Sequence, residues 1–305
     1  MKKNPLYNWL KAARPKTIPL SISGILIGSS FAIYQGFFDY VIFVLAIITA
    51  VCFQVLSNFA NDYGDGLKGT DNNRIGPERV VAAGLITLGQ IKRAIIVVSI
   101  FSLGFSLTLI FYVFNSNLLN ILIFLGLSLC SIIAAITYTV GKTPYGYYGF
   151  GDLFVFIFFG LISVVGSNFL YTKFFDHLVI LLGIIIGLLC TAVLNINNIR
   201  DIESDKNSAK LTIPVQIGFK FSKYYHYFII GLSIFLLFIW LAEFNYSSNF
   251  IFIAFSFLIL IRHIYKVVRS NFPTDFKPLL SELAINVFLV SILISLFLMN
   301  ESHIF

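Results

Sequence analysis

The sequence is poor in charged residues. Only 11% of its 305 residues are Asp, Glu, Lys or Arg, whereas 58% are hydrophobic. Soluble proteins carry about 25% charged residues, and a soluble domain of this length could not cover its surface with so few polar groups. The composition therefore excludes a soluble globular protein and a disordered chain, and it indicates an integral membrane protein.

Cysteine and histidine are also scarce. The three cysteines stand singly inside apolar stretches and the four histidines are scattered, so no pair has the spacing of a zinc site. This pattern excludes a disulfide-stapled secreted scaffold. The net charge of +7 requires no nucleic acid, because contact with anionic lipid headgroups accounts for it. We expect the lipid bilayer as a partner, no nucleic acid, and no obligate protein partner.

Long stretches without a charged side chain recur along the chain. Each is close to the ~20 residues that cross the hydrocarbon core as a helix, and none alternates like a strand of an outer-membrane barrel. We therefore predict an all-α, polytopic membrane protein with nine transmembrane helices in a single domain over residues 1–305. The predicted spans are 17–35, 40–59, 94–114, 118–140, 153–172, 178–199, 224–242, 244–261 and 283–300.

The basic residues predict the orientation of these helices. All of the 21 lysines and arginines except Lys173 fall on one side of the predicted topology. Because Lys and Arg accumulate in cytoplasmic loops, that side is expected to be cytoplasmic. The N-terminus is then cytoplasmic, the C-terminus lies outside, and the protein is a multi-pass protein of the cell (inner or cytoplasmic) membrane.

Half of the 14 acidic residues lie in two short connections on that same side. In the first, Asn58, Asp62 and Asp65 occupy positions i, i+4 and i+7, which is one face if the second span remains helical. Asn61 and Asp71 extend this polar cluster into a Gly-rich loop. The segment thus gathers carboxylates and amides where an apolar helix ends.

The second acidic connection has the same character. Asn198, Asp201 and Asp205 are predicted to share one helical face at the end of the sixth span. Like charges at this spacing repel, so a positive charge must offset them. Carboxylate and amide oxygens favour Mg²⁺, with Ca²⁺ or Mn²⁺ as alternatives, over zinc or copper.

Basic residues are interleaved with both acidic segments. Together with a metal they would form a clamp for a diphosphate, although solvated loop charges are the plainer alternative. A diphosphate clamp at the mouth of an apolar bundle implies a lipid diphosphate, and aromatic walls would stabilise the carbocation formed if an allylic diphosphate ionises. The interleaved residues are Lys68, Arg74, Arg79, Arg200, Lys206 and Lys210.

These residues resemble a known family. The pattern N-x-x-N-D-Y-x-D from Asn58, followed by G-x-D and by a later D-x-x-x-D from Asp201, resembles the two aspartate-rich motifs of the UbiA superfamily of intramembrane aromatic prenyltransferases. Within it the chain is similar to the 1,4-dihydroxy-2-naphthoate polyprenyltransferases of menaquinone synthesis. The stretches that carry this closer similarity are Ala13–Leu20, Asn61–Asp71, Arg74–Arg79, Tyr138–Asp152 and Asn197–Thr212.

The resemblance implies transfer of a prenyl group from polyprenyl diphosphate to 1,4-dihydroxy-2-naphthoate, with loss of the acceptor carboxylate. It implies that Asp62 and Asp65 hold one Mg²⁺ and that Asp201 and Asp205 hold another. Asp71 and Asn58 would assist the first ion, and Arg14 or Arg79 would hold the acceptor carboxylate. Residues implied to contact substrate or the leaving diphosphate are Asn61, Lys68, Arg74, Tyr138, Lys142, Asn198 and Lys210.

Two positions depart from the family pattern. Ala209 stands where the family usually has glycine, and Tyr138-x-x-x-Lys142 is similar to a motif of the wider superfamily. Transfer to 4-hydroxybenzoate or another phenolic acceptor is therefore the main alternative. A secondary transporter is a remote one, because no predicted span is interrupted in its centre by a charge. The shared position of the two acidic segments also suggests a diverged four-helix repeat, spans 1–4 and 5–8.

Overall fold

The structure is a computed structural model that describes residues 5–70, 79–244 and 249–302. Within these ranges the chain is helical and contains no strand. The helices are α1 (Pro5–Ala13), α2 (Ile18–Tyr34), α3 (Tyr40–Lys68), α4 (Leu88–Phe114), α5 (Leu118–Thr137), α6 (Gly151–Val155), a π-helix (Phe156–Gly166), α7 (Ser167–Thr172), α8 (His177–Arg200), α9 (Ile202–Asn207), α10 (Ile213–Ala242), α11 (Phe250–Arg269) and α12 (Phe276–Glu301).

In the described residues, nine segments are long and apolar enough to cross a membrane, which confirms the predicted number. The prediction of the eighth span, 244–261, is wrong by several residues, because α11 covers Phe250–Arg269. Helix α10 covers Ile213–Ala242 but is interrupted at Gly218 (φ 80°, ψ 163°), so the continuous part of the seventh span begins after this glycine, a few residues before the predicted position 224. In both cases charged residues lie on the helix itself, since a helix continues through the headgroup region after its apolar part has ended.

Side-chain caps fix where several spans begin. The Asp39 carboxylate accepts a hydrogen bond from the Val41 backbone N–H at 2.8 Å, and Asp176 does the same for Leu178 at 2.7 Å. Thr87 opens α4 with a capping box. Such caps satisfy backbone N–H groups that have no partner within the helix, so each of these helices begins at a defined residue.

The fifth span is wound differently from the others. Its central eleven residues form a π-helix between α6 and α7, with i→i+5 hydrogen bonds that place more residues in each turn than an α-helix has. Gly160 of this segment packs so closely on α8 that an added Cβ would lie 2.4 Å from the Gly183 carbonyl oxygen. Small residues at helix contacts permit such close approach in membranes.

Helix α8 lies at the centre of the protein. It packs against α10, α12 and the π-helix, and most of its residues are buried in the largest apolar cluster. Helix α2 joins this group through α12 and the π-helix, whereas α3, α4 and α5 pack mainly on one another. The two groups enclose a cavity between them. The proposed repeat of spans 1–4 and 5–8 stays a prediction.

Candidate active site

A cavity of about 670 Å³ lies between the two groups of helices. The two acidic segments line its polar mouth, and both belong to the C-terminal ends of spans, α3 and α8. A helix C-terminus carries partial negative charge, so clustering carboxylates there is unfavourable without cations. The sequence-predicted residues that line the cavity are Arg14, Asn58, Asn61, Asp62, Asp65, Arg79, Tyr138, Asp201, Asp205 and Lys210.

The first acidic segment is one face of a continuous helix. Helix α3 runs unbroken to Lys68, so Asn58, Asp62 and Asp65 lie on the same side, as the spacing predicts. All three side chains are buried and line the cavity. Buried carboxylates require charge compensation or hydrogen bonds, and each has a different partner.

Asp62 is paired with two arginines. The Arg14 guanidinium contacts its Oδ1, and Arg79 Nη1 lies 3.0 Å from the same oxygen. Arg14 has a positive φ of 50°, which costs an L-residue energy and must be held by its surroundings. Asn58 helps to hold it, since its Nδ2 donates to the Ala13 carbonyl at 2.9 Å and to Thr17 Oγ1 at 3.0 Å.

Asp65 is held by a tyrosine from another connection. The Tyr147 hydroxyl donates to Asp65 Oδ1 at 2.9 Å, and Thr70 Oγ1 lies 2.6 Å from the same hydroxyl. The connection that carries Tyr147 comes very close to α3 at Gly64, where an added Cβ would lie 2.5 Å from Thr139 Oγ1. Burial, with the nearby Asp65 carboxylate adding to it, raises the pKa of Tyr147 above its ordinary value.

The second acidic segment is broken rather than continuous. Helix α8 ends at Arg200, Asp201 adopts φ −96° and ψ 10°, and α9 begins at Ile202. The prediction that Asn198, Asp201 and Asp205 share one helical face is therefore wrong. Asn198 is buried but does not line the cavity, whereas its neighbour Asn197 does.

Arg200 neutralises the second segment from within. Its Nε donates to Asp201 Oδ1 at 2.7 Å and its Nη2 to Oδ2 at 2.5 Å, so the contact is bidentate. The same guanidinium donates to Asn197 Oδ1 at 2.9 Å. Arg200 is only 1% exposed, so this ion pair is shielded from bulk water.

Lys210 lies between the two acidic segments. Its Nζ is 3.7 Å from Asp205 Oδ1, and burial would lower its pKa, but the Asp65 and Asp205 carboxylates outweigh this and raise the pKa above the ordinary value. The turn before it positions the side chain. Lys210 N–H donates to the Asp205 carbonyl and Ala209 N–H to the Lys206 carbonyl, the two bonds of a Schellman motif that ends α9.

Several sequence-predicted residues lie elsewhere. Lys142 and Lys68 are exposed and do not line the cavity. The Lys68 ammonium donates to the Thr139 carbonyl at 3.1 Å and lies 4.0 Å from the centroid of the Tyr147 ring. Asp71 and Arg74 lie outside the described residues. Glu203, which lies between the two aspartates of the second acidic segment, is exposed.

The sequence pattern assigns no site role to Asn197 or Tyr147. Arg200, expected there as one of the basic residues of a diphosphate clamp, instead pairs directly with Asp201. The helical spacing predicts Asn198 as the site residue in place of Asn197. Tyr147 had no local signal, because its contacts are with Asp65, 82 positions away in sequence, and with Leu211.

The donors present fit Mg²⁺. Each acidic segment contributes two carboxylates to the cavity, and amide oxygens accompany them. Within the described ranges no group of three or more His, Cys, Asp or Glu side chains is close enough to hold a metal. That arrangement suits an ion that takes one or two carboxylates from the protein and its other ligands from substrate phosphate and water.

Below the mouth, the cavity becomes apolar and aromatic. Tyr145 stacks on Phe154 with ring centroids 4.0 Å apart, and it meets the Tyr138 ring edge-on at 5.3 Å. Burial raises the pKa of Tyr138 to about 12, so its hydroxyl stays protonated at neutral pH. The deeper wall consists of Ile25, Ala46, Ala50, Phe53, Leu109, Ile110, Phe124, Leu127, Phe158, Phe159, Ile162 and Leu170.

Comparison with known proteins shows which family and which relatives the chain is similar to. A model of the UbiA prenyltransferase family matches residues 21–293. The 1,4-dihydroxy-2-naphthoate octaprenyltransferase of Escherichia coli (strain K12) is 41% identical over 290 residues, covering 93% of this chain and 92% of that protein. The Haemophilus influenzae protein of the same name is 40% identical over 304 residues, 97% of each chain.

The fold also resembles a solved structure. A UbiA homolog from Archaeoglobus fulgidus bound to GPP and Mg²⁺ superimposes with a TM-score of 0.66, over 94% of this chain and 99% of that one. Only 12% of the residues are identical, so this similarity concerns the fold alone.

Proposed function

The chain belongs to the UbiA prenyltransferase family and is a prenyltransferase of a multi-pass membrane fold, and from this we propose that it transfers a polyprenyl group from polyprenyl diphosphate to 1,4-dihydroxy-2-naphthoate. The product would be a demethylmenaquinol, an intermediate of menaquinone synthesis. The observation that carries this proposal is that both aspartate-rich segments converge on one apolar cavity, in a chain 41% identical to an enzyme named for this reaction.

The donor diphosphate would bind at the polar mouth. Asp62 and Asp65, and separately Asp201 and Asp205, are the residues that would hold Mg²⁺ there. When bound, Mg²⁺ neutralises negative charge on the diphosphate as it leaves. Lys210 faces the same region with its ammonium kept protonated, so it adds a fixed positive charge where the diphosphate charge develops.

The bond that breaks joins the allylic carbon to the diphosphate oxygen, and its electron pair leaves with the diphosphate. The allylic cation would then lie against the aromatic wall formed by Tyr138, Tyr145 and Phe154. Aromatic faces attract cations, and the apolar cavity limits access of water that would quench them. The electron-rich naphthoate ring forms the new carbon–carbon bond and gives up its carboxylate as CO₂.

Arg14 and Arg79 are the candidates to hold the acceptor carboxylate. Both line the cavity, and both contact Asp62 Oδ1. An arginine that contacts the first motif while facing the cavity can form a bidentate contact with a carboxylate on its other nitrogens. The acceptor ring would then lie beside the diphosphate rather than deep among the tail-binding residues.

An acceptor competition tests the proposal. Membranes containing the protein are given a radiolabelled all-trans polyprenyl diphosphate with either 1,4-dihydroxy-2-naphthoate or 4-hydroxybenzoate. We expect a decarboxylated prenyl-naphthoquinol from the first acceptor alone, and no product after EDTA treatment. The Asp201→Asn variant in the same membranes is the matched control for background enzymes.

Two outcomes would contradict the proposal in different ways. Product from 4-hydroxybenzoate only would change the acceptor but leave prenyl transfer in place. Unreacted label that accumulates inside sealed vesicles would favour the secondary transporter. In either case the chromatographic identity of the labelled compound distinguishes the two.

We further propose that the acidic segments face the cytoplasm from the cell membrane, because basic residues accumulate at that end of the helices. Ser116 and Asn207 are exposed and lie in connections at opposite ends of spans. In a background lacking Cys52, Cys130 and Cys190, Ser116→Cys should react with an impermeant thiol reagent from outside intact cells and Asn207→Cys only after permeabilisation. Reaction of both from the same side would contradict this topology.

A further inference from the structure

Tyr147 contacts both aspartate-rich segments without lining the cavity. It lies in the connection between α5 and α6, is 8% exposed, and is absent from the cavity wall. We propose that Tyr147 is a positioning residue that holds Asp65 and Lys210 in register for the Mg²⁺–diphosphate group. This rests on the proposed function, because it assigns a role toward the same donor site.

The direction of its hydrogen bonds follows from charge. An ionised Asp65 carboxylate can only accept, so the Tyr147 hydroxyl must donate to it across the 2.9 Å contact. The Thr70 hydroxyl, 2.6 Å away, must then donate to the tyrosine oxygen. This relay directs one oxygen of Asp65 toward the protein and leaves the other for a ligand in the cavity.

The ring of Tyr147 reaches cations of both segments. Lys68 Nζ lies 4.0 Å from the ring centroid and Lys210 Nζ lies 5.5 Å from it, both within cation–π range. Lys68 follows the first acidic segment along α3, whereas Lys210 follows the second. A single aromatic ring therefore sets the separation of two ammonium groups that would otherwise repel each other.

The backbone of Tyr147 completes the link. Its carbonyl accepts a hydrogen bond from Leu211 N–H at 2.9 Å, directly after Lys210. The hydroxyl thus contacts Asp65 and Thr70, and the carbonyl contacts Leu211. The ring faces a lysine from each of these two distant chain segments. Movement of the first segment relative to the second would break at least one of these contacts.

The neighbouring tyrosine provides a matched control. Tyr148 is 51% exposed, and its side chain makes no hydrogen bond or ring contact with the described residues. Tyr147→Phe removes the hydroxyl and keeps the ring, whereas Tyr147→Leu removes both and keeps the backbone carbonyl. Thr70→Val removes only the far end of the relay.

The test measures ligand binding as well as turnover. Detergent-purified variants are titrated with Mg²⁺ in the presence of geranyl S-thiolodiphosphate, an unreactive diphosphate, and binding is read from the thermal shift. We expect Tyr147→Phe to raise the Mg²⁺ concentration for half-maximal binding about tenfold, because a hydrogen bond to a charged group is lost. Tyr147→Leu should raise it further, Thr70→Val less, and Tyr148→Phe not at all.

A purely structural role would give a different result. If Tyr147→Phe lowered the unliganded melting temperature yet bound Mg²⁺ and diphosphate like the wild type, the positioning role would be wrong. The same holds if Tyr147→Phe and Tyr148→Phe were indistinguishable in the titration. Because no acceptor is present, a different acceptor in the activity assay would leave this result intact, whereas a wild type that binds no diphosphate would overturn both proposals.

Discussion

The two aspartate-rich segments provide similar side chains through different local structures. The first lies on α3, a continuous helix, and Asp62 obtains its arginines from positions 48 and 17 residues away. The second lies at a break between α8 and α9, and Asp201 obtains its arginine from the adjacent residue. The first segment therefore depends on the docking of the N-terminal segment, whereas the second carries its own counter-charge.

Exposure strengthens this difference. The Arg14 side chain is 20% exposed, whereas that of Arg200 is 1% exposed. Asp62 is buried like Asp201, but it has a second arginine partner in Arg79, so the Arg14 contact can be exchanged for a contact with substrate at modest cost. Removing Arg200 would take the bidentate partner away from a carboxylate that is itself buried. The first segment thus resembles an adjustable binding surface and the second a fixed support.

The largest effects should come from the carboxylates themselves. Asp62→Asn, Asp65→Asn, Asp201→Asn and Asp205→Asn should each lower kcat about a thousandfold or more, because each removes a charge that would bind metal in a partly desolvated site. Radiolabelled prenyl transfer in membranes, normalised to protein level, measures this loss. Glu203→Gln is the control, since Glu203 is exposed, and a wild-type rate in Asp201→Asn would contradict a role for the second segment.

Replacing Arg14 and Arg200 should show that the two segments contribute differently to the free energy of unfolding. Arg200→Ala should lower the free energy of unfolding by about 3–5 kcal/mol, because it removes the bidentate partner of a buried carboxylate, Asp201. Arg14→Ala should lower it by about 1 kcal/mol or less, because Arg14 is partly exposed and Arg79 still pairs with Asp62 in the variant. Unfolding in an SDS titration of purified protein measures both. Equal losses in the two variants would show that the segments do not differ in this way.

Lysine substitutions should distinguish the cavity from the surface. Lys210→Met should lower kcat about a hundredfold, because its ammonium faces both acidic segments inside the cavity. Lys142→Met should change kcat little, since Lys142 is exposed and does not line the cavity. Steady-state rates at saturating substrates provide the comparison. A larger effect at Lys142 would mean that its connection closes over the bound substrates.

The smallest expected effect concerns Ala209. It has a φ of 52° at the position of a Schellman motif that usually carries glycine. Ala209→Gly should relieve this strain and raise the free energy of unfolding by roughly 0.5–1 kcal/mol, since the left-handed conformation costs an alanine about 1–2 kcal/mol and glycine's greater chain entropy offsets part of the gain. The same SDS titration measures it, and a destabilised variant would contradict the assigned strain.

The number of transmembrane helices could be predicted from the sequence, whereas the ends of some helices could not. Apolar runs of membrane-spanning length predict nine helices, because lipid permits few alternatives. The ends of the seventh and eighth spans could not be predicted, since charged residues such as Lys220 and Arg262 lie on helices that continue past the apolar region.

The site residues, too, could be predicted only in part. The i, i+4, i+7 spacing predicts the face of α3 correctly because the helix is regular there. The same spacing fails at Asp201, where the helix ends, so it selects Asn198 instead of Asn197. Tyr147 and the pairing of Arg14 with Asp62 depend on contacts between distant segments, which periodicity does not encode.

The π-helix of the fifth span determines which of its side chains line the cavity. Cavity-lining positions along α6, the π-helix and α7 repeat at intervals of four residues, from Phe154 and Val155 to Leu170. In an α-helix a four-residue step overshoots a full turn by about 40°, so such rows would rotate away from the cavity. Wider winding keeps them aligned. Deleting one residue there would remove part of this wider winding, so the positions on its two sides would no longer line the cavity along the same rows. The shape of this cavity wall therefore depends on the number of residues in the segment as well as on their side chains.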